Sequence, residues 1–251
     1  MHDTFVADLF TGQVVLVVGG TTGIGAAIAD AFATLGASVT VTGATQRDCE
    51  SARGRPDFSC RDAVALDVRD DVAVRRLLAD LPRLDVLVNC AGIIRRHDEH
   101  EVAVFEDVLA VNLTGTMRMC ALARAKLKSA PGKSSGSIVN TASVLSFQGG
   151  GLVPGYSASK GGVAQLTKSL AIAYAEEGIR VNAIAPGWVN TALTEPLQQD
   201  PERSHAIVGR TPLRRWGQPD DVAGAAVFLC SPAARFITGA ILPVDGGYLV
   251  T

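Results

Sequence analysis

The chain has 251 residues, 47% of them hydrophobic and 19% charged, with a net charge of −2. That is enough for one sizeable core, and too little positive charge to expect nucleic acid as a partner. No apolar run approaches the roughly 18 residues of a membrane span, and the five cysteines are scattered without a C-x-x-C pair, so neither a disulfide framework nor a metal site is expected. Met1 to Gly12 reads as an N-terminal tail: Asp3 and Asp8 stand where a signal peptide needs a basic stretch, and a reducing cytoplasm fits best.

Gln13 to Val18 is a continuous apolar run rich in β-branched residues, the pattern of a strand buried on both faces. Gly19-Gly-Thr-Thr-Gly23-Ile-Gly25 follows, then a helical stretch from Ala26 to Leu35 that Gly36 stops. Strand, glycine turn and helix form the context of a dinucleotide loop, in which bare backbone and a helix N-terminus receive a pyrophosphate. Gly19, Thr21, Thr22, Gly23, Ile24 and Gly25 are the candidates; the bland alternative is an ordinary βα turn. Ser38 to Thr42 is a second strand. An acid at its end would hold the ribose 2′-hydroxyl of NAD. Gly43-Ala44-Thr45 stands there instead, leaving room for a 2′-phosphate with Arg47 as the nearest cation, so the reading leans to NADP.

Arg61 to Leu66 is a third strand, ending at Asp67-Val68, where Asp67 is either an adenine contact or a turn residue. Residues 70–81 form an amphipathic helix. Leu84 to Val88 is a fourth strand, ending in Asn89-Cys90-Ala91-Gly92. Residues 98–130 carry two helical stretches that meet near Asn112, an amide that either disrupts the helix or is simply buried and satisfied. Ser137 to Thr141 is the next strand. Ser143 follows it, and a helix opening with Tyr156-Ser-Ala-Ser-Lys160 runs to 178. Tyr156 and Lys160, four apart, share a helix face. A cation beside a phenol favours the phenolate and lowers its pKa from about 10, and Ser143 can donate to the oxygen of a reacting carbonyl. The alternative is a Tyr anchored in the core with a Lys that snorkels.

Ile179 to Ile184 is a sixth strand, followed by a turn through Pro186-Gly187-Trp188-Val189-Asn190-Thr191. Residues 191–217 are polar, hold Arg210, Arg214, Arg215 and Trp216, and read as a mobile substrate lid. Asp220 to Cys230 is a last helix and Ala240 to Val244 a last strand. This alternation predicts a single-domain α/β Rossmann fold over residues 13–251: a doubly wound parallel sheet of about seven strands with helices on both faces.

Taken together, the Gly19–Gly25 loop, Asp67-Val68, Asn89-Cys-Ala-Gly92, Asn112, Ser143, Tyr156-x-x-x-Lys160 and Pro186-Gly187 with Thr191 resemble the short-chain dehydrogenase/reductase family over essentially the whole chain. The resemblance implies an NAD(P)(H) cofactor and a catalytic tetrad. Tyr156 would be the acid–base and Lys160 would lower its pKa and hold the nicotinamide ribose. Ser143 would polarise the substrate carbonyl, with Ser146 as a competing hydroxyl. Asn112 would hold a water that relays protons to Lys160. The cofactor residues it implies are the glycine loop, Asp67, Val68, Asn89, Ala91, Gly92, Tyr156, Lys160, Pro186, Gly187, Val189 and Thr191. Val18 replaces a usual Thr and Cys90 a usual Asn.

Within the family, Cys90 to Arg96, Ser143 to Gly150 and Arg215-Trp-Gly217 are similar to the sugar-acid dehydrogenases. A carboxylate substrate needs a cation, for which Arg95, Arg96 and Arg214 are candidates; Arg95, Leu145, Gly150 and Trp188 are the candidate substrate residues. A homotetramer with helices 113–130 and 156–178 at an interface is also implied; close packing there would explain Gly161 and Gly162. Two alternatives stand beside this reading. One is a 3-oxoacyl carrier-protein reductase docking through Arg124, Lys126 and Lys128. The other is a nonenzymatic dinucleotide sensor, which predicts a damaged tetrad.

Overall fold

The apolar runs become the strands of one parallel sheet. The computed structural model describes residues 4–128 and 136–251; residues 1–3 of the expected tail and the last two residues of the stretch expected to reach 130 lie outside them. Strands β1 (Val14–Val18), β2 (Ser38–Gly43), β3 (Asp62–Ala65), β4 (Val86–Asn89), β5 (Ser137–Thr141), β6 (Arg180–Pro186) and β7 (Ile241–Val244) pair in the order β3-β2-β1-β4-β5-β6-β7. The joining helices are α1 (Gly23–Thr34), α2 (Gln46–Arg53), α3 (Asp71–Asp80), α4 (Val102–Leu109), α5 (Thr116–Lys128), α6 (Pro154–Tyr174), α7 (Glu195–Gln198), α8 (Pro201–Arg210) and α9 (Pro219–Cys230).

The side-chain period of a strand divides the core in two. Val15 and Val17 face one layer with Ile28, Phe32, Val222 and Val227 of α1 and α9. Leu16 and Val18 face the other, with Leu77, Met119, Leu127 and Leu170 of α3, α5 and α6. Phe10, ahead of β1, is fully buried and meets Phe32 edge-on with ring centroids 4.8 Å apart. A polar thread also crosses the centre: Asn89 Nδ2 donates to Asn140 Oδ1 at 2.9 Å, and Asn140 Nδ2 donates to Thr167 Oγ1 at 3.0 Å.

Three regions depart from the sequence reading. Helix α2 has no apolar stripe to announce it; it is nucleated by a capping box, in which Thr45 Oγ1 accepts the Asp48 N–H at 3.2 Å and Asp48 Oδ2 accepts the Thr45 N–H at 2.9 Å. Helix α6 starts at Pro154 and ends at Tyr174, not 178; a 3-10 turn over Ala175–Glu177 and a left-handed Gly178 (φ 73°) close it. Residues 191–217 contain α7 and α8, with Leu197 and Ile207 buried. The two helical stretches expected to meet near Asn112 do so, through a π-helical segment over Ala110–Gly115. Gly162 is explained within the chain, since a Cβ there would lie 2.7 Å from Leu113 Cδ2, whereas Gly161 has nothing within 4 Å among the described residues.

Truncating Phe10 removes a ring sealed against α1. Phe10→Ala is expected to lower unfolding free energy by about 3–5 kcal/mol in denaturant titrations.

Candidate active site

At the carboxyl ends of β1 and β4, where the strand order changes direction, a cleft of about 670 Å³ opens. Its floor is the glycine loop. Gly19 (φ 77°) runs against β4's exit, where a Cβ would lie 2.6 Å from Ala91 N, and a Cβ on Gly25 would lie 2.1 Å from the Gly19 carbonyl oxygen. Only bare backbone fits this crossing. The hydroxyl that Val18 lacks is supplied from β2: Thr42 Oγ1 accepts the Gly19 N–H at 3.1 Å. Periodicity along one strand gave no sign of this bond between neighbouring strands.

The cleft is lined by Gly19, Thr21, Thr22, Gly23, Ile24, Gly25, Asp67, Val68, Ala91, Gly92, Pro186, Gly187, Val189 and Thr191, together with Ser143, Tyr156, Lys160 and Arg95. Asn89 is the exception among the expected cofactor residues: its amide is buried in the polar thread of the sheet and does not line the cleft. Asp67 lines the cleft but is also a turn residue. Its Oδ1 accepts the Arg69 N–H at 2.9 Å, and the Arg69 guanidinium grips the carboxylate and holds its pKa below the usual range. Leu145, Gly150 and Trp188 stand outside the cleft lining. Trp188 packs edge-on against Trp216 at 6.2 Å and Tyr248 at 6.0 Å. Among the described residues no group of His, Cys, Asp and Glu is placed to hold a metal ion.

Lys160 is buried, and its Nζ donates to the Thr141 carbonyl oxygen at 2.6 Å, fastening α6 to the end of β5. Burial pulls its pKa down to about 8; the Cys90 thiol beside it opposes that. Cys90 Sγ accepts the Thr141 hydroxyl at 3.3 Å. Tyr156 and Ser143 line the cleft together, and the Ser143 hydroxyl favours the phenolate. The Tyr156 phenol does not follow the sequence expectation. Burial is the largest influence and pushes its pKa up, with the Ser143 hydroxyl and then the Arg96 charge pulling down and Glu99 pushing up. The Lys160 ammonium lies 5.5 Å from the ring centroid, and Arg96 is a second cation that acts on the phenol.

Asn112 is fully buried on the π-helical turn. Its Oδ1 accepts the Ile93 N–H at 2.8 Å, and its Nδ2 donates to the Ile93 carbonyl at 2.9 Å and to Ser159 Oγ at 3.0 Å. The amide therefore clamps the loop after β4. A Cβ on Gly92 would lie 3.3 Å from Asn112 Oδ1 and 3.7 Å from Lys160 Nζ, so both groups flank one glycine. Ser146 is structural: it donates to the Lys160 carbonyl at 2.7 Å and accepts the Ser143 N–H at 3.2 Å. Two groups absent from the sequence reading join the site. The Thr141 carbonyl holds Lys160. Glu99, a buried carboxylate, accepts the backbone N–H of Tyr156 at 2.7 Å. No local motif marks either, because both act across long stretches of chain.

A bare glycine crossing, a helix N-terminus behind it and a Ser–Tyr–Lys cluster at the switch point define a nicotinamide-dependent oxidoreductase acting on a CH–OH group. The chain belongs to the short-chain dehydrogenase/reductase family. The family model described as enoyl-(acyl carrier protein) reductase matches residues 18–249. A 2-dehydro-3-deoxy-D-gluconate 5-dehydrogenase of Pseudoalteromonas atlantica is 43% identical, over 95% of this chain and 96% of that one. A cis-4-hydroxycyclohexanecarboxylate dehydrogenase of Sinomonas cyclohexanicum is 41% identical, over 96% and 98%. A solved structure of a candidate 2-deoxy-D-gluconate 3-dehydrogenase from Agrobacterium tumefaciens, with NADP bound, superposes with a TM-score of 0.86 at 43% identity, covering 98% of this chain and 100% of that one.

The buried lysine has a consequence for stability. Its folded pKa, about 8, lies below its ordinary 10.5. The unfolded chain therefore binds more protons between those values, and stability rises with pH through that window. Lys160→Met removes the titration. The stability of wild type relative to Lys160→Met is expected to climb by up to about 3 kcal/mol between pH 8 and 10.5, measured by denaturant unfolding.

Proposed function

We propose that the protein interconverts a secondary alcohol and a ketone on a small carboxylate-bearing polyol, a sugar acid, using NADP. The carrying observation is Arg96. It is partly buried and lies close enough to act on the Tyr156 phenol, and among the described residues no carboxylate pairs with it. Its Nη1 donates to the Leu193 carbonyl, at 3.0 Å, at the start of the lid. A partly buried guanidinium beside the cleft, with no ion-pair partner among the described residues and, of the carboxylates, only the nearby charge of Glu99 acting on it, matches a carboxylate ligand. Arg95 lines the cleft itself and is exposed, whereas Arg96 stands outside the lining and reaches it through Leu193. Arg214 is committed to the Gly209 carbonyl within the lid. The two relatives named above support the reading: the carbon skeletons in their names differ, but both carry a carboxylate.

The glycine crossing suits a pyrophosphate, because it turns bare backbone and the start of α1 toward the cleft. When bound, the nicotinamide supplies or accepts the hydride. Ser143 donates a hydrogen bond to the substrate oxygen, and Tyr156 gives or takes that oxygen's proton. Lys160, held by Thr141, would hold the nicotinamide ribose and supply a cation there. For the 2′-phosphate of NADP, β2 ends without an acid at Ala44, and Asp48, the nearest carboxylate, is engaged by Thr45. Arg47, in the first turn of α2, is the cation we assign to it.

The carrier-protein alternative is weaker on this reading. Arg124 and Lys128 are paired with Glu177, at 2.8 and 3.3 Å, and Lys126 donates to the Leu81 carbonyl, so Glu177 offsets part of the positive charge of this cluster. We read the assembly as a cytoplasmic homotetramer that packs exposed faces of α5 and α6, on which Met117 and Ile172 are exposed.

Nicotinamide absorbance with purified protein tests this. Turnover of a keto-sugar acid is expected, with NADPH preferred over NADH and Arg47→Ala eroding that preference about tenfold. Tyr156→Phe should lower kcat by about 10²–10⁴ while still binding cofactor. Arg96→Ala should raise KM for the acid about 10- to 100-fold and leave KM for a neutral ketose unchanged. Turnover only of an acetoacetyl thioester would overturn the sugar-acid assignment.

A further inference from the structure

The acid Glu99 takes no part in the chemistry described above, yet it is 1% exposed and sits directly behind the acid–base. It occupies a 3-10 turn, Asp98–His100, entered through a left-handed His97 (φ 72°). Each carboxylate oxygen has one backbone partner. Oε1 accepts the Arg95 N–H at 2.7 Å, and Oε2 accepts the Tyr156 N–H at 2.7 Å. Helix α6 needs such a partner. Val153, at its N-cap, gives no side-chain cap, and Pro154 has no N–H to offer. Tyr156 is the third residue of that helix, so an acid from a turn 57 residues away does the work of a local cap. A Cβ on Gly155 would lie 3.3 Å from Oε2 and 3.2 Å from Phe105 Cδ2, so the fit leaves little room for movement. Two more bonds tie the same turn to the segment leading into α6. His97 N–H donates to the Leu152 carbonyl at 2.9 Å, and His100 Nε2 meets the Gly151 carbonyl at 3.0 Å.

We propose that Glu99 is a positioning residue for the reaction: one carboxylate holds both the helix turn that carries Tyr156 and the loop that carries Arg95 and Arg96, fixing the acid–base against the cationic mouth. The inference rests on the reading of Tyr156 as the acid–base.

Glu99 also has an electrostatic part. The charged and polar groups acting on the phenol are Ser143 from the end of β5, Arg96 and Glu99 from the turn after β4, and Lys160 on α6 itself; Arg203 on α8 acts on Arg96 in turn. Arg96 and Glu99 oppose one another on Tyr156. Arg95, His97, Asp98 and His100 complete the charged and titratable groups of the turn around Glu99. Removing the Glu99 charge leaves Arg96 unopposed and favours the phenolate.

Two variants separate position from charge. Glu99→Gln keeps the size, but only one of its two terminal atoms can accept, so one backbone N–H loses its partner. Glu99→Asp keeps the charge but is too short to reach both. In the alcohol-oxidising direction both are expected to lose about 10- to 100-fold in kcat, the effect of a lost charge-assisted hydrogen bond, with cofactor affinity by fluorescence titration within about twofold of wild type. Only Glu99→Gln should also move the acid limb of the kcat profile, to lower pH by about half a unit or more. Wild-type kcat and an unmoved limb in Glu99→Gln would overturn the proposal, as would parallel losses of kcat and cofactor binding in both variants. If Glu99→Gln does not fold, Glu99→Asp decides alone: a reduced kcat with an unmoved limb supports the assignment, and wild-type kcat removes it. Tyr156→Phe keeps the two readings apart. Turnover surviving there sinks the acid–base role itself, whereas an inactive Tyr156→Phe beside a wild-type-like Glu99→Gln removes only Glu99.

Discussion

Much of this site depends on burying one ammonium group. Lys160 sits in the core layer of α6, and its Nζ finds the carbonyl of Thr141 at the last residue of β5. Burying a cation costs several kcal/mol unless it is bonded. The fold therefore has to present that carbonyl where the sheet ends and the helix passes. The parallel sheet does so, because its strands all end at the same edge. Ser143 lies two residues beyond that carbonyl, and Tyr156 lies one helical turn before the lysine. A cation fixed by backbone geometry thus sets the placement of the hydroxyl and the phenol as well.

The phenol is governed by its surroundings as much as by its helix. Desolvation keeps it protonated, while Ser143 and Arg96 draw it toward ionisation. Arg96 also reaches the Leu193 carbonyl, so the residue that biases the acid–base is physically joined to the segment over the pocket mouth. Anything that moves that segment alters the field at Tyr156. On the proposed reading, substrate capture and proton transfer share one side chain.

The parts of this arrangement that were legible in the sequence are local ones. β1, its glycine turn and α1 follow one another without a gap, and Tyr156 and Lys160 are a turn apart on one helix. The disruption near Asn112 was also visible, as a polar residue inside an apolar pattern. What stayed hidden lies between segments far apart in the chain. Thr42 replaces a hydroxyl expected at position 18, across a strand pair with no sequence signature. Glu99 looks like one more surface acid in a polar loop until the fold closes over it. The Asn89 amide turns into the sheet, which was hidden for a similar reason. The end of a strand has a cleft side and a sheet side, and only the position of Asn140 decides which way the amide turns. Helix α2 was missed because its start is set by a Thr45–Asp48 cap and its apolar contribution is confined to Cys49 and Ala52.

The bond from the Gly19 N–H to the Thr42 hydroxyl makes the glycine turn and the end of β2 a single mechanical unit. β2 ends one residue later, at Gly43, and Thr45 starts the capped helix that carries Arg47 and Asp48. If residues 43–48 discriminate between dinucleotides, as proposed, they are not independent of the glycine turn that would grip the part common to both. Substitutions grafted onto 43–48 to exchange cofactor preference will be felt at Gly19 through Thr42, so their effects will not add as separate contributions. In this chain cofactor choice and cofactor affinity would be expected to evolve together.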